Sequence, residues 1–100
     1  MIIIFVSFES TEDAEKVANA LIDKKLAACI SLVPVTNFYY WKGEKVRSDE
    51  IEGIIKTRDG YFEKINKEIG QLLPYSIPQI IVLDAKASEK YNEWVEKQTR

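Results

Sequence analysis

Two long extended arms, joined by little more than Lys42-Gly43 as a turn signal, restrict the possible folds more than any other feature of the chain. The first reads as a strand over Cys29 to Val33. Pro34 marks a bulge or an edge position, because proline has no N–H to give to a ladder, and extended character resumes from Val35 to Trp41. The partner strand returns from Val46 to Thr57, where Ile51, Gly53 and Ile55 alternate with Glu52, Ile54 and Lys56 at the two-residue period of a pleated strand. If residues 29 to 41 are all extended, they span roughly 40 Å at about 3.3 Å per residue. A compact domain of this length has a diameter of roughly 33 Å, so the hairpin is expected to overhang its own core.

Phe38, Tyr39, Tyr40 and Trp41 lie at the far end of that hairpin. Alternation sends Phe38 and Tyr40 to one face and Tyr39 and Trp41 to the other, so neither face of the overhang is wholly polar. Exposed rings on an extended edge invite aggregation. Either another copy of the chain covers them, Tyr and Trp being favoured at interfaces, or the strand starts at Pro34 and Phe38 and Tyr40 are core residues. The first reading makes Phe38, Tyr39, Tyr40 and Trp41 a subunit interface.

The rest of the chain supplies a core for the hairpin. Ile2 to Phe8 is β-branched and aromatic without clean alternation, the mark of a strand buried on both faces at the centre of a sheet. Ser10 with Asp13 resembles a capping box, and Ala14, Val17, Ala18, Leu21 and Ile22 follow at helical spacing, predicting a helix over residues 11 to 25. Phe62, Ile65, Ile69 and Leu72 predict a second helix, weakened by Gly70 and ended by Pro74. Gln79 to Leu83 reads as a fourth strand after the Pro74 to Pro78 connection, and Ser88 opens a last helix bearing Tyr91, Trp94 and Val95. The order βαββαβ plus a C-terminal helix predicts an α+β, ferredoxin-like sandwich, one domain over residues 1–100, with a long β2-β3 hairpin and an antiparallel sheet covered by helices on one face.

Composition removes several classes of function. Sixteen acids against 14 bases give a net charge of −2, not the footprint of a nucleic-acid binder. A single cysteine, Cys29, excludes an intrachain disulfide or CxxC site, and the chain has no histidine, the commonest metal ligand and general base. Met1 to Val6 is apolar but has no basic leader, is too short to span a bilayer and precedes no small-residue cleavage pattern; a cytoplasmic protein without a membrane partner is expected. No nucleophile is paired with a recognisable base, and HExxH, P-loop and GxGxxG motifs are absent. An acylphosphatase would need an anion-cradling loop with an arginine, whereas Ser7-Phe8-Glu9-Ser10 is acidic. The basic aromatic strand motif of an RNA-recognition module is missing too. A binding or sensing protein, not an enzyme, is the expectation.

A set of residues spread along the whole chain resembles the CutA divalent-cation tolerance family: Leu26-Ala27-Ala28-Cys29, Pro34, Tyr39-Tyr40-Trp41 with Gly43, Glu50, Lys56-Thr57, Pro74-Tyr75 with Pro78, and Tyr91 with Trp94. The resemblance implies a ferredoxin-like subunit in a tight homotrimer, with hairpins packed between subunits, an architecture similar to that of PII signalling proteins. It implies copper or another divalent cation as ligand, no required cofactor, and clefts between subunits as candidate ligand sites. The family often has His-Pro-Tyr where this chain has Leu73-Pro74-Tyr75, so a candidate imidazole ligand is an alkyl group here. A PII-like signalling or scaffold trimer, binding a small anion or a protein partner in the inter-subunit cleft, is the alternative to metal tolerance.

Two groups of residues carry the chemistry of these readings. Cys29 is the one thiol; as a thiolate it suits Cu(I) or, with other donors, zinc, and otherwise it is a small buried hydrophobe. Glu50 and Lys56 share one strand face by even separation. Lys56 and Thr57 offer a cation and a hydroxyl to an anionic ligand in a cleft beside Trp41 and Tyr75; the alternative is a solvated salt bridge and a strand-ending threonine. Tyr91 and Trp94, at i and i+3, read as the stripe that docks the last helix onto the sheet or a neighbour. The acidic stretches Glu9 to Asp13 and Ser48 to Glu50 lack the ligand spacing of a calcium loop.

Overall fold

The strands β1 (Ile2–Phe8), β2 (Cys29–Trp41), β3 (Glu44–Thr57) and β4 (Ile80–Asp84) form one antiparallel sheet of order β2-β3-β1-β4, with β1 and β3 inside. The computed structural model describes all 100 residues. Along the chain α1 (Thr11–Asp23) follows β1, α2 (Phe62–Leu72) follows β3 and α3 (Glu89–Gln98) follows β4. This is the βαββαβ ferredoxin-like α+β sandwich with an added C-terminal helix.

Ile2, Ile4, Val6 and Phe8 on β1 point toward the helices and meet Val17 and Leu21 of α1, Ile65 and Ile69 of α2, and Ile55 of β3 in one core. The opposite face of β1 differs from the expectation. Ile3, Phe5 and Ser7 remain partly exposed, because both α1 and α2 cover a single side of the sheet. Register aligns Phe5 with Ile54 and Ile81, and Ile3 with Leu83, so the uncovered face is itself apolar. Ile81 and Leu83 are 49% and 51% exposed.

The helix boundaries follow local chemistry. Ser10 caps α1 by accepting the Asp13 N–H at 3.1 Å, but the return half of a capping box is not made, since the Asp13 carboxylate accepts from Tyr75. α1 stops at Asp23, short of the expected residue 25, because Lys25 takes a left-handed conformation, φ 58°. The Lys25 N–H then reaches Ile22 O and the Leu26 N–H reaches Leu21 O, a Schellman ending without its usual glycine. Ser88 caps α3 by accepting the Tyr91 N–H.

β2 runs unbroken through Pro34, which pairs with Ile51 in regular register at the sheet's edge strand, where a missing N–H is tolerated. Lys42 (φ 50°) and Gly43 (φ 80°) form a two-residue turn of type I′, so β3 begins at Glu44, two residues ahead of the expected Val46. β1 pairs with β3 only over Ile51–Thr57; beyond that, residues 35–41 and 44–50 form a two-stranded ribbon. The long axis of the molecule is 45 Å against 25 and 20 Å across, as an overhanging hairpin requires. β4 starts one residue later than expected, at Ile80.

At the far end of the sheet, α3 is held by Val95, which is fully buried, while Trp94 stays 42% exposed. Arg58 secures the helix terminus: its guanidinium donates to Glu96 O at 2.6 Å, Thr99 O at 3.2 Å and Thr99 Oγ1 at 2.9 Å. Tyr91, half-buried on the same face of α3 as Val95, and the more exposed Trp94 pack against each other with ring centres 5.6 Å apart. Val95 is the fully buried anchor of this helix, a residue the Tyr91 and Trp94 spacing did not single out.

Candidate functional site

Where the ribbon leaves the core, it forms one wall of a cleft of about 590 Å³. Odd positions of β2 and even positions of β3 share the uncovered sheet face there, which brings Asn37, Tyr39 and Trp41 beside Ser48 and Glu50. Ser7, at the end of β1, forms the floor, and Tyr75, Ile77 and Gln79 of the α2-β4 connection form the second wall.

Glu50 is the centre of this arrangement. Its Oε1 accepts from Ser7 Oγ at 2.7 Å and Asn37 Nδ2 at 3.0 Å. Burial alone would raise its pKa, but hydrogen bonding by Ser7, Ser48, Asn37 and Tyr39 outweighs burial and holds the carboxyl below its ordinary 4.5. Glu52, one step along the same face, moves the other way. Burial raises its pKa, as does the Glu50 charge, against a hydrogen bond from Gln79 Nε2. Neither carboxylate takes part in any of the molecule's ion pairs, so the charge in the cleft is stabilised by neutral dipoles.

Tyr75 fixes the second wall. Its hydroxyl accepts the Glu9 N–H at 2.9 Å and donates to Asp13 Oδ2 at 2.5 Å, tying the α2-β4 connection to the exit of β1 and the first turn of α1. Burial, with the hydrogen bond to Asp13 next, pushes its pKa up to about 12. Tyr75 is therefore a fixed neutral donor whose ring edges the cleft.

Of the residues singled out in the sequence, Trp41, Glu50 and Tyr75 come together at this cleft, and Lys56 and Thr57 do not within one chain. Lys56 shares the face of Glu50 but lies six residues along the strand, roughly 20 Å away, opposite Ile3 and Cys29. Thr57 faces the helices, is fully buried, and donates its hydroxyl to Leu26 O at 2.6 Å. Cys29 is half-buried on the uncovered face of the edge strand, paired in register with Lys56. Within one chain no three His, Cys, Asp or Glu side chains stand close enough to hold a metal ion. Leu73, at the position of the family's histidine, is 6% exposed inside the core, so a side chain there points away from the cleft. Phe38 and Tyr40 are 67% and 74% exposed on the helix side of the ribbon, where Arg47 lies over the Phe38 ring at 5.9 Å.

Sequence reasoning missed Ser7, Asn37, Ser48 and Gln79, short polar residues with no motif spacing, which meet only because the strands pair. It also missed the apolar sheet face of Ile3, Phe5, Ile54, Ile81 and Leu83. That face did leave a signal: the want of alternation in Ile2 to Phe8 belongs to a strand with apolar residues on both sides.

Residues 2–98 match the family model described as CutA1 divalent ion tolerance protein. The divalent-cation tolerance protein CutA of Pyrococcus horikoshii is 36% identical over 101 residues, covering 100% of this chain and 99% of the relative. Its crystal structure superposes with a TM-score of 0.95 at 35% identity, covering 100% of this chain and 99% of that one. A structure described as the periplasmic divalent cation tolerance protein CutA from Archaeoglobus fulgidus gives a TM-score of 0.93 at 29% identity over 98% of both chains. The PII-like protein CutA from Nostoc sp. PCC 7120, in apo form, gives 0.92 at 27% identity, covering 100% of this chain and 98% of that one. No helix of the chain is long and apolar enough to cross a membrane.

Proposed function

The chain belongs to the CutA1 divalent ion tolerance family, and from that premise we propose that it acts as a homotrimeric, non-catalytic divalent-cation binding protein, with copper as the ion. The observation that supports assembly is the uncovered sheet face. Phe5, Ile54, Ile81 and Leu83 lie side by side on it, and an apolar face of this kind marks a protein–protein contact. The ribbon rings add to it, Tyr39 and Trp41 continuing the same face and Phe38 and Tyr40 lying on its back. Since no single chain gathers three donors, a copper site has to draw on more than one subunit. Cys29, on the uncovered face, is the donor that assembly can multiply. We place the protein in the cytoplasm, which cell fractionation tests.

Sedimentation at micromolar concentration tests the trimer; a monomer there refutes it. Calorimetric titration with Cu(II), and with Cu(I) under reductant, against a competing chelator tests the metal. Binding tighter than micromolar at one site per chain or per trimer supports copper, with Cys29→Ser weakening it by about an order of magnitude. Binding no tighter than that of a histidine-free control protein refutes it.

A second reading, a PII-like signalling trimer whose cleft takes a small ligand or partner, is favoured by the Glu50 cleft itself. An anionic ligand would need basic groups from a neighbouring subunit, because the lining within one chain contains none.

A further inference from the structure

Four charged residues of the strands lie on the uncovered sheet face: Glu44 at the ribbon tip, Glu50, Glu52 and Lys56. Lys56 is the one cation among them. It is half-buried, in register with Ile3 and Cys29, and has no ion pair in its own chain. Glu50 is its counterpart, a partly buried carboxylate held by Ser7 and Asn37 with no cation against it. Six residues of extended strand, roughly 20 Å, keep the two apart within one chain. Covering this face with another copy strips water from both charges, and a charge left unpaired in such a contact is costly. The second copy also supplies what is missing, because its sheet face carries the same carboxylate at one end and the same ammonium at the other.

We propose that the Glu50 carboxylate of one subunit takes the ammonium of Lys56 of the partner subunit, so that the Glu50 site is incomplete in a single chain and is finished by assembly. This rests on the trimer reading and assigns which residues meet across its contact. A head-to-tail contact of this kind closes into a ring, each chain giving its Glu50 to one neighbour and its Lys56 to the other. The ribbon sets the direction. From Glu50 outward β3 has no β1 beside it, so the body of a neighbour begins where Glu50 stands. Ser7 and Asn37 both donate to Oε1, which fixes the carboxylate and leaves Oε2 for the ammonium. Glu52 is the weaker partner for Lys56, since Gln79 Nε2 already reaches both of its oxygens, at 2.8 and 3.4 Å.

Sedimentation of Glu50→Gln, Lys56→Met and the double variant, each over a concentration series, tests the pair. Either single change leaves one charge unpaired in the contact and is expected to raise the concentration needed for the trimer about tenfold or more. The double variant is expected to assemble more tightly than either single one, the non-additivity that marks a direct contact, whereas Glu52→Gln combined with Lys56→Met is expected to be additive. Carbodiimide treatment of the parent trimer is a second measurement that needs no variant to fold. Peptide mapping of the covalent dimer is expected to find an amide joining Glu50 to Lys56, which at roughly 20 Å cannot form inside one chain. Additive effects of Glu50→Gln and Lys56→Met, coupling of Lys56 to Glu52 instead, or a link from Lys56 to another carboxylate overturns the pair and leaves the trimer standing. A parent that sediments as a monomer at micromolar concentration overturns both.

Discussion

Replacing Gly53 by alanine sets two effects of opposite sign against each other. Glycine inside a strand costs about 0.5–1 kcal/mol relative to alanine through the freedom it lends the unfolded chain, so propensity alone makes Gly53→Ala stabilising. A Cβ at this position falls 2.7 Å from Phe8 Cε2 and 3.6 Å from Ile30 Cδ1. The Phe8 ring is fully buried in the core and cannot swing into solvent. Overpacking of this kind costs about 1–3 kcal/mol, so the steric effect wins with a net loss of about 1–2 kcal/mol. For a chain of this size that lowers Tm by roughly 4–16 °C. Circular dichroism melts at one fixed protein concentration give the number, because assembly makes Tm depend on concentration. Leucine at position 8 has no atom where Cε2 lies, so in a Phe8→Leu background the alanine should be neutral or stabilising, a coupling of about 1–2 kcal/mol. An alanine variant as stable as the parent, or strict additivity in the double variant, would show that the contact does not set the cost.

Glu50 and Glu52 should respond oppositely to loss of charge. The Glu50 pKa is lowered on folding, so its contribution to stability is full above 4.5 and fades as pH falls below it. That of Glu52 is raised, so its charged form opposes folding near neutrality and the penalty lifts on acidification. Urea midpoints between about pH 7 and pH 3 should show Glu52→Gln more stable than the parent at neutral pH, and Glu50→Gln less stable with a flatter acid limb. Tyr75 rises from 10.0 to about 12, so the stability it confers is full below 10 and declines as pH climbs toward 12; Tyr75→Phe should remove that alkaline decline. Arg58→Ala strips the end of α3 of its charged donor and should cost about 1.5–3 kcal/mol. Hydrogen exchange should then rise in α3 and hardly change in β1; equal protection in α3 would assign the anchoring to Val95 alone.

The fold was legible because its signals are local and strong: serine caps, apolar positions at helical spacing, and alternation in the second half of β3. Boundaries shifted where backbone geometry had no sequence mark. Lys25 ends α1 in a left-handed conformation usual for glycine, and Lys42 with Gly43 closes the hairpin more tightly than the composition of Glu44 and Lys45 implies. Strand parity placed Glu50 and Lys56 on one face, yet it could not show that the cleft gathers around Glu50 and leaves Lys56 at the other end of the strand. Thr57 illustrates the opposite limit. One residue beyond Lys56 it turns to the other face, where its hydroxyl satisfies the Leu26 carbonyl, a partner 31 residues earlier in the chain.

The pairing of β3 with two different partners also sets what kinds of length variation the chain can absorb. Over Ile51–Thr57 the strand is held by both β1 and β2, so an added residue there displaces a core side chain on one neighbour or the other. Within residues 44–50 a single insertion has only β2 to answer to. It must bulge outward or turn every residue between it and Gly43 to the opposite face, which for an insertion beside Glu50 would carry Ser48 out of the cleft wall. Residues added in matched pairs at the turn do neither. Each pair lengthens the ribbon by about 3.3 Å and leaves the cleft, the register and the core as they were, so the reach of the arm can vary among related sequences while its root stays fixed.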